Sequence, residues 1–79
     1  MFTVTRFCIQ TFTRDPTGLW PAEAREFMFE EDARGAARAA RRRSAGVALY
    51  SVRGEPVQRL WDRPRLLERH GDILELEPG

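Results

Sequence analysis

From Phe2 to Thr13 the chain is rich in Thr, Phe, Val and Ile, with Phe7 and Ile9 on one side and Cys8, Gln10 and Phe12 on the other. That period of two predicts a long first strand. Asp15-Pro16-Thr17-Gly18 supplies turn chemistry, and Trp20-Pro21 extends it into a loop that is long for a hairpin. Arg25-Glu26-Phe27-Met28-Phe29 alternates polar and aromatic positions and predicts a second strand returning antiparallel to the first. The pattern then changes period. A helix is expected from Glu30 to Asp32 onward, where three acids suit the N-terminal dipole, to Gly46 as a C-cap after an arginine-rich last turn.

Val47 to Val52 reads as a third strand, Arg53-Gly54-Glu55-Pro56 as a turn, and Val57 to Trp61 as a fourth strand. Arg65 to Gly71 is either one helical turn or an edge strand, and Ile73 to Glu77 adds a little β structure before a frayed Pro78-Gly79. The order β-β-α-β-β gives an α+β two-layer sandwich, a mostly antiparallel sheet with one main helix packed on it, in a single domain over residues 1–79.

On the helix, Ala33, Ala36, Ala37 and Ala40 fall on one stripe, and Arg34, Arg38, Arg41 and Arg42 fall on another that faces away from it. The alanine stripe is the packing face. The arginine stripe has two readings. It is either the solvated face of an amphipathic helix or a binding surface for phosphates or a partner's carboxylates. The lack of acids among Arg34 to Arg43 favours the second, because a face built for solubility interleaves glutamates.

Composition weakens the chemical specificity of that stripe. All 13 basic residues other than His70 are arginines, with no lysine, as a GC-rich coding sequence would give, so guanidinium at one site need not reflect bidentate recognition. Net charge is only +1. Glu68, Asp72, Glu75 and Glu77 weight the C-terminal end towards acid, so a bipolar molecule is expected. Nucleic-acid binding is the second choice, since the aromatic residues do not interleave with the arginines as stacking modules require.

The remaining candidates are single residues. Trp20, flanked by Leu19 and Pro21, is either a rigid interface anchor or a lid over the core, the latter favoured in so small a domain. Trp61 carries the same ambiguity. Cys8 reads as a packed thiol rather than a reactive one, and His70 as an exposed turn residue rather than a general base. Glu30-Glu31-Asp32 serves the helix dipole better than a metal. No phosphate-cradling glycine loop or nucleophile elbow is present, and no metal site, cofactor or enzymatic activity is expected. One cysteine excludes an intramolecular disulfide, and no run approaches the ~20 apolar residues of a membrane span. A cytoplasmic protein of a bacterial host is expected, with room for a homodimer.

The strand closing in Ile9-Gln10-Thr11-Phe12, the Ala/Arg helix, and Ala45-Gly46-Val47-Ala48-Leu49-Tyr50-Ser51 followed by Gly54 resemble short uncharacterised proteins of GC-rich proteobacteria and their mobile elements. Within that group the chain is similar to small anti-CRISPR proteins directed against type I-C systems. The resemblance implies a non-enzymatic inhibitor that docks on a Cas subunit or the assembled Cascade complex and blocks target-DNA recruitment. Arg34, Arg38, Arg41, Arg42 and Trp20 are the partner-binding residues this reading nominates. Because the concentrated charge is positive, a mimic of DNA is not the expected mechanism.

Overall fold

The computed structural model describes residues 2–74. Its elements are β1 (Val4–Asp15), β2 (Gly18–Phe27), α1 (Glu30–Ala40), β3 (Gly46–Glu55), β4 (Leu60–Trp61) and β5 (Arg65–Gly71). The class is α+β, but the order is β-β-α-β-β-β. The five antiparallel strands curl into a half-barrel with one helix packed against it, rather than lying flat as one layer of the expected two-layer sandwich. β1 lies between β2 and β3, and the far side of β3 is shared by β5, along Gly46 to Ser51, and β4, at Gly54 and Glu55.

The alternation read along β1 divides the core. Ile9, Val47 and Leu49 face the helix and bury Ala33, Ala37 and Ala40, with Phe7, Phe27, Ala36 and Leu67 around them. Phe12, Ala48 and Tyr50 form a second cluster on the opposite side of the same strands, flanked by Leu19 and Ile73. Successive residues Val47 to Tyr50 are all buried because both faces of β3 are covered there. The helix stripe is as expected, with Ala33, Ala37 and Ala40 almost fully buried.

The first connection is a tight hairpin, not a long loop. Asp15 pairs with Gly18 across Pro16-Thr17, and β2 begins at once. Three donors stabilise the turn through one oxygen: Asp15 Oδ1 accepts from Thr17 N (2.8 Å), Thr17 Oγ1 (2.5 Å) and Gly18 N (3.2 Å). Gly18 takes φ 142°, which its missing Cβ allows. Trp20 and Pro21 therefore stand in a strand. Pro21 fits because β2 is an edge. Phe12, its partner, directs its carbonyl towards the β3 side, where it accepts from Ala45 N (2.8 Å), so Pro21 turns its backbone to the open edge and costs no ladder bond.

The helix stops at Ala40, six residues before Gly46. Arg41 is the C-cap, bonded to Ala37 O (3.1 Å), and Arg43 N to Ala40 O (3.2 Å) tightens the last turn. Gly46 serves a different purpose from capping. It opens β3, and a Cβ there would run into the backbone of Asp72, so the residue is a close approach of two chain segments. The expected fourth strand shrinks to Leu60–Trp61, since Val57 to Arg59 form a turn held by Gln58 N to Glu55 Oε2 (2.6 Å) and Arg59 N to Pro56 O (3.2 Å). Of the two readings of Arg65 to Gly71, the edge strand is the one formed. Ile73 and Leu74 carry no regular structure, and Glu75 to Glu77 lie outside the described residues.

Candidate functional site

The helix arginines separate into two environments. Arg34, one turn in, is neutralised: its Nε meets Glu30 Oε2 at 2.7 Å and its Nη1 is in close contact with Glu68 Oε2 on β5. The bridge to Glu68 ties the helix to the edge strand. Arg38, Arg41 and Arg42 lie further along, exposed, around an open depression of about 440 Å³, and make no ion pair among the described residues. Arg43 is exposed beside them.

Arg41 also rims a smaller depression of about 190 Å³ with Ser44, Ala45, Gly46, His70 and Gly71. His70 is not an exposed turn residue. It lies half-buried on β5, opposite Val47, with Nε2 2.9 Å from Glu68 Oε1. Burial and then the Arg41 charge push its pKa below the usual histidine value, which favours neutral imidazole at pH 7. Arg41 thus stands between two depressions, one shared with Arg38 and Arg42 and the other with Ser44 and His70, while Arg34 is set apart as a structural bridge.

Trp20 joins neither depression. Its indole N–H donates to Thr17 Oγ1 (3.0 Å) and Asp15 Oδ1 (3.2 Å), so the ring is fastened to the hairpin tip while 48% of the residue stays exposed. The hydroxyl and amide of Thr17, then Trp20 and Gly18, hold the Asp15 carboxyl below its ordinary range. A depressed folded-state value means that Asp15's stabilising contribution is complete above the unfolded value, about 3.9, and fades as pH falls through the folded one. In a Trp61→Phe background, Trp20 emission should titrate with a midpoint below about 3.9. The same midpoint in Asp15→Asn would show that another group drives the change.

Cys8 is half-buried, and its thiol is pushed up by burial and by the nearby Glu26, which disfavours the nucleophilic thiolate. Glu30 is engaged by Arg34, and among the described residues no group of three or more His, Cys, Asp or Glu is placed to hold a metal. No helix of the described residues is long and apolar enough to cross a membrane. A second arginine group was not anticipated from the sequence: Arg53, Arg63 and Arg65 line a depression of about 290 Å³ with Thr5, Ser51 and Asp62. Arg63 and Arg65 share one short stretch, but Thr5, Ser51 and Arg53 come from two distant strands, so no single local run marks the group. Only the switch from Val47 and Leu49 to Ser51 and Arg53 at alternate positions of one strand hints at the site.

No protein-family model, curated protein or solved structure matches this chain.

Proposed function

We propose that the protein is a non-enzymatic interaction module that docks on an acidic surface of a larger partner through Arg38, Arg41 and Arg42. The partner named by the resemblance is a type I-C Cascade subunit or the assembled complex, which the protein would inhibit by blocking recruitment of target DNA. One observation carries the reading. The three arginines stand open around a single depression without an ion pair among the described residues, whereas Arg34 of the same stripe is consumed internally. Unpaired guanidiniums on the last turn of the helix and the turn that follows it keep their full charge and fork geometry for a partner's carboxylates. Among the described residues, the two depressions that share Arg41 are lined by no Phe, Tyr or Trp, and the neighbouring one beside Arg43 and Ser44 has only the buried Phe12. No exposed ring there offers bases a stacking platform, which supports nucleic acid less than a protein partner.

Arg38→Glu with Arg41→Glu should leave the fold intact, because both side chains are exposed, and reduce capture of Cascade subunits or the assembled complex by at least about tenfold. Undiminished capture would return the stripe to a solvated face. Failure of every subunit and of the complex to retain the unmodified protein would remove the inhibitor reading. Steep, salt-dependent binding to duplex or single-stranded DNA by the unmodified protein would put the nucleic-acid reading in its place.

A further inference from the structure

The helix is too short for the sheet it covers. Its 11 residues span about 16 Å, whereas the 10 residues of β3 span about 33 Å. The face that carries Phe7, Ile9, Val47 and Leu49 beneath the helix therefore continues beyond it, and there the side chains become Thr5, Ser51 and Arg53. Thr5 pairs with Arg53 across β1 and β3, and Ser51 pairs with Arg65 across β3 and β5. Directly opposed residues have Cβ atoms about 5 Å apart, and Ser51 and Arg53 are alternate residues about 7 Å apart on one strand, so the four form one compact patch. The segment entering β5 is tied alongside β3 by Asp62 N donating to Arg53 O (2.8 Å), and Arg63, the next residue, lines the same depression of about 290 Å³.

Three guanidiniums and two hydroxyls thus line one open space, with Asp62 the only acid among the described residues that line it. Among the described residues, Arg53, Arg63 and Arg65 make no ion pair. Arg53 on β3 and the pair Arg63 and Arg65 from the stretch entering β5 bring like charges to one depression, and an anion between them offsets their repulsion. We propose that this is a binding site for the phosphate group of a small phosphomonoester, separate from the helix arginines and independent of the partner they engage. The arrangement suits a tetrahedral dianion better than a carboxylate. Ser51 and Thr5 offer hydroxyl donors from the strands, while arginine forks reach further oxygens from β3, from the start of β5 and from the residues just before it.

The test is a titration of the ¹⁵N-labelled protein with inorganic phosphate at constant ionic strength, chloride being exchanged out, followed through backbone amides. Saturable shifts centred on Thr5, Ser51, Arg53 and Arg65 are expected, weakened at least about tenfold in Arg53→Gln/Arg65→Gln and a few-fold in Ser51→Ala. Arg59→Gln, on the neighbouring turn, removes the same charge and should leave the affinity unchanged. Should the double variant fail to fold, Arg63→Gln and Ser51→Ala carry the comparison. Shifts that do not saturate, that acetate reproduces, or that respond equally to Arg59→Gln overturn the site. Tighter binding of a dinucleoside phosphodiester than of a nucleoside monophosphate overturns the monoester assignment. Capture of a protein partner by the helix arginines is read separately and stands or falls without this result.

Discussion

Leu49→Ala is expected to lower the melting temperature by roughly 10–30 °C, through a loss of about 2–5 kcal/mol. A domain of 79 residues has about 4–12 kcal/mol in all, so this one side chain decides whether the fold survives at physiological temperature. Leu49 is fully buried, faces Ile9 across the β1–β3 ladder, and packs in the cluster roofed by Ala33, Ala37 and Ala40. The cost should lie in the upper part of the range for a specific reason. A cavity is relieved when long neighbours swing into it, and an alanine roof has no rotamers with which to do so. Leu60→Ala is the matched control, because Leu60 is 61% exposed on the short β4 and the same truncation there should change stability by no more than about 0.5 kcal/mol. Urea and thermal unfolding of both variants measure the contrast. Equal melting temperatures would mean that the helix does not rest on Leu49.

The parts of the fold legible in the sequence are those set by local period. The alternation of Phe7 to Phe12 and the alanine spacing of Ala33 to Ala40 each fix a buried face without knowledge of the rest, and both faces are observed. Where a residue's role depends on a distant segment, local reading misassigns it. Gly46 resembles a C-cap from its neighbours, yet what it accommodates is the backbone of Asp72. Pro21 resembles a loop residue, and only the placement of β2 at a sheet edge makes it tolerable in a strand. Arg65 to Gly71 has no clear period because its register shifts between Leu49 and Tyr50 of β3, moving side chains from one face to the other midway.

The same distinction governs the candidate site. Four helix arginines are equivalent by angle alone. Glu68, a long way off in the chain, pairs with Arg34 and leaves Arg38, Arg41 and Arg42 as the open group. Trp20 was legible as an aromatic beside a proline, but its indole N–H is committed to Asp15 and Thr17 through the hairpin turn. Arg63 and Arg65 stand two apart in the sequence, but Arg53 joins them only through the pairing of β3 with β5 and the Asp62 to Arg53 backbone bond, neither of which a one-dimensional pattern contains.

Ala37→Asp should abolish the cooperative fold near neutral pH or lower its melting temperature by roughly 15–40 °C, because it places a carboxylate in the dry layer between helix and sheet. Ala37 is 1% exposed, among Ile9, Val47 and Leu49. Aspartate is chosen over glutamate because its single methylene cannot carry the charge out past the helix to Arg41. Ala39→Asp, on the exposed side of α1, incurs the same loss of helix propensity and the same change in net charge, so the difference between the two variants isolates burial. The penalty has a predictable pH dependence. Desolvation raises the folded-state pKa of the new carboxyl above the unfolded value of about 3.9, so the folded state holds its proton more tightly and the deficit relative to Ala39→Asp narrows as pH falls towards about 4. Both variants carry the native Asp15, whose own contribution fades in the acid range, and the comparison between them cancels it. A deficit that stayed constant from about pH 8 to about pH 4 would show that the introduced carboxylate reaches solvent, and the helix would then have to sit further from the sheet than the alanine stripe implies.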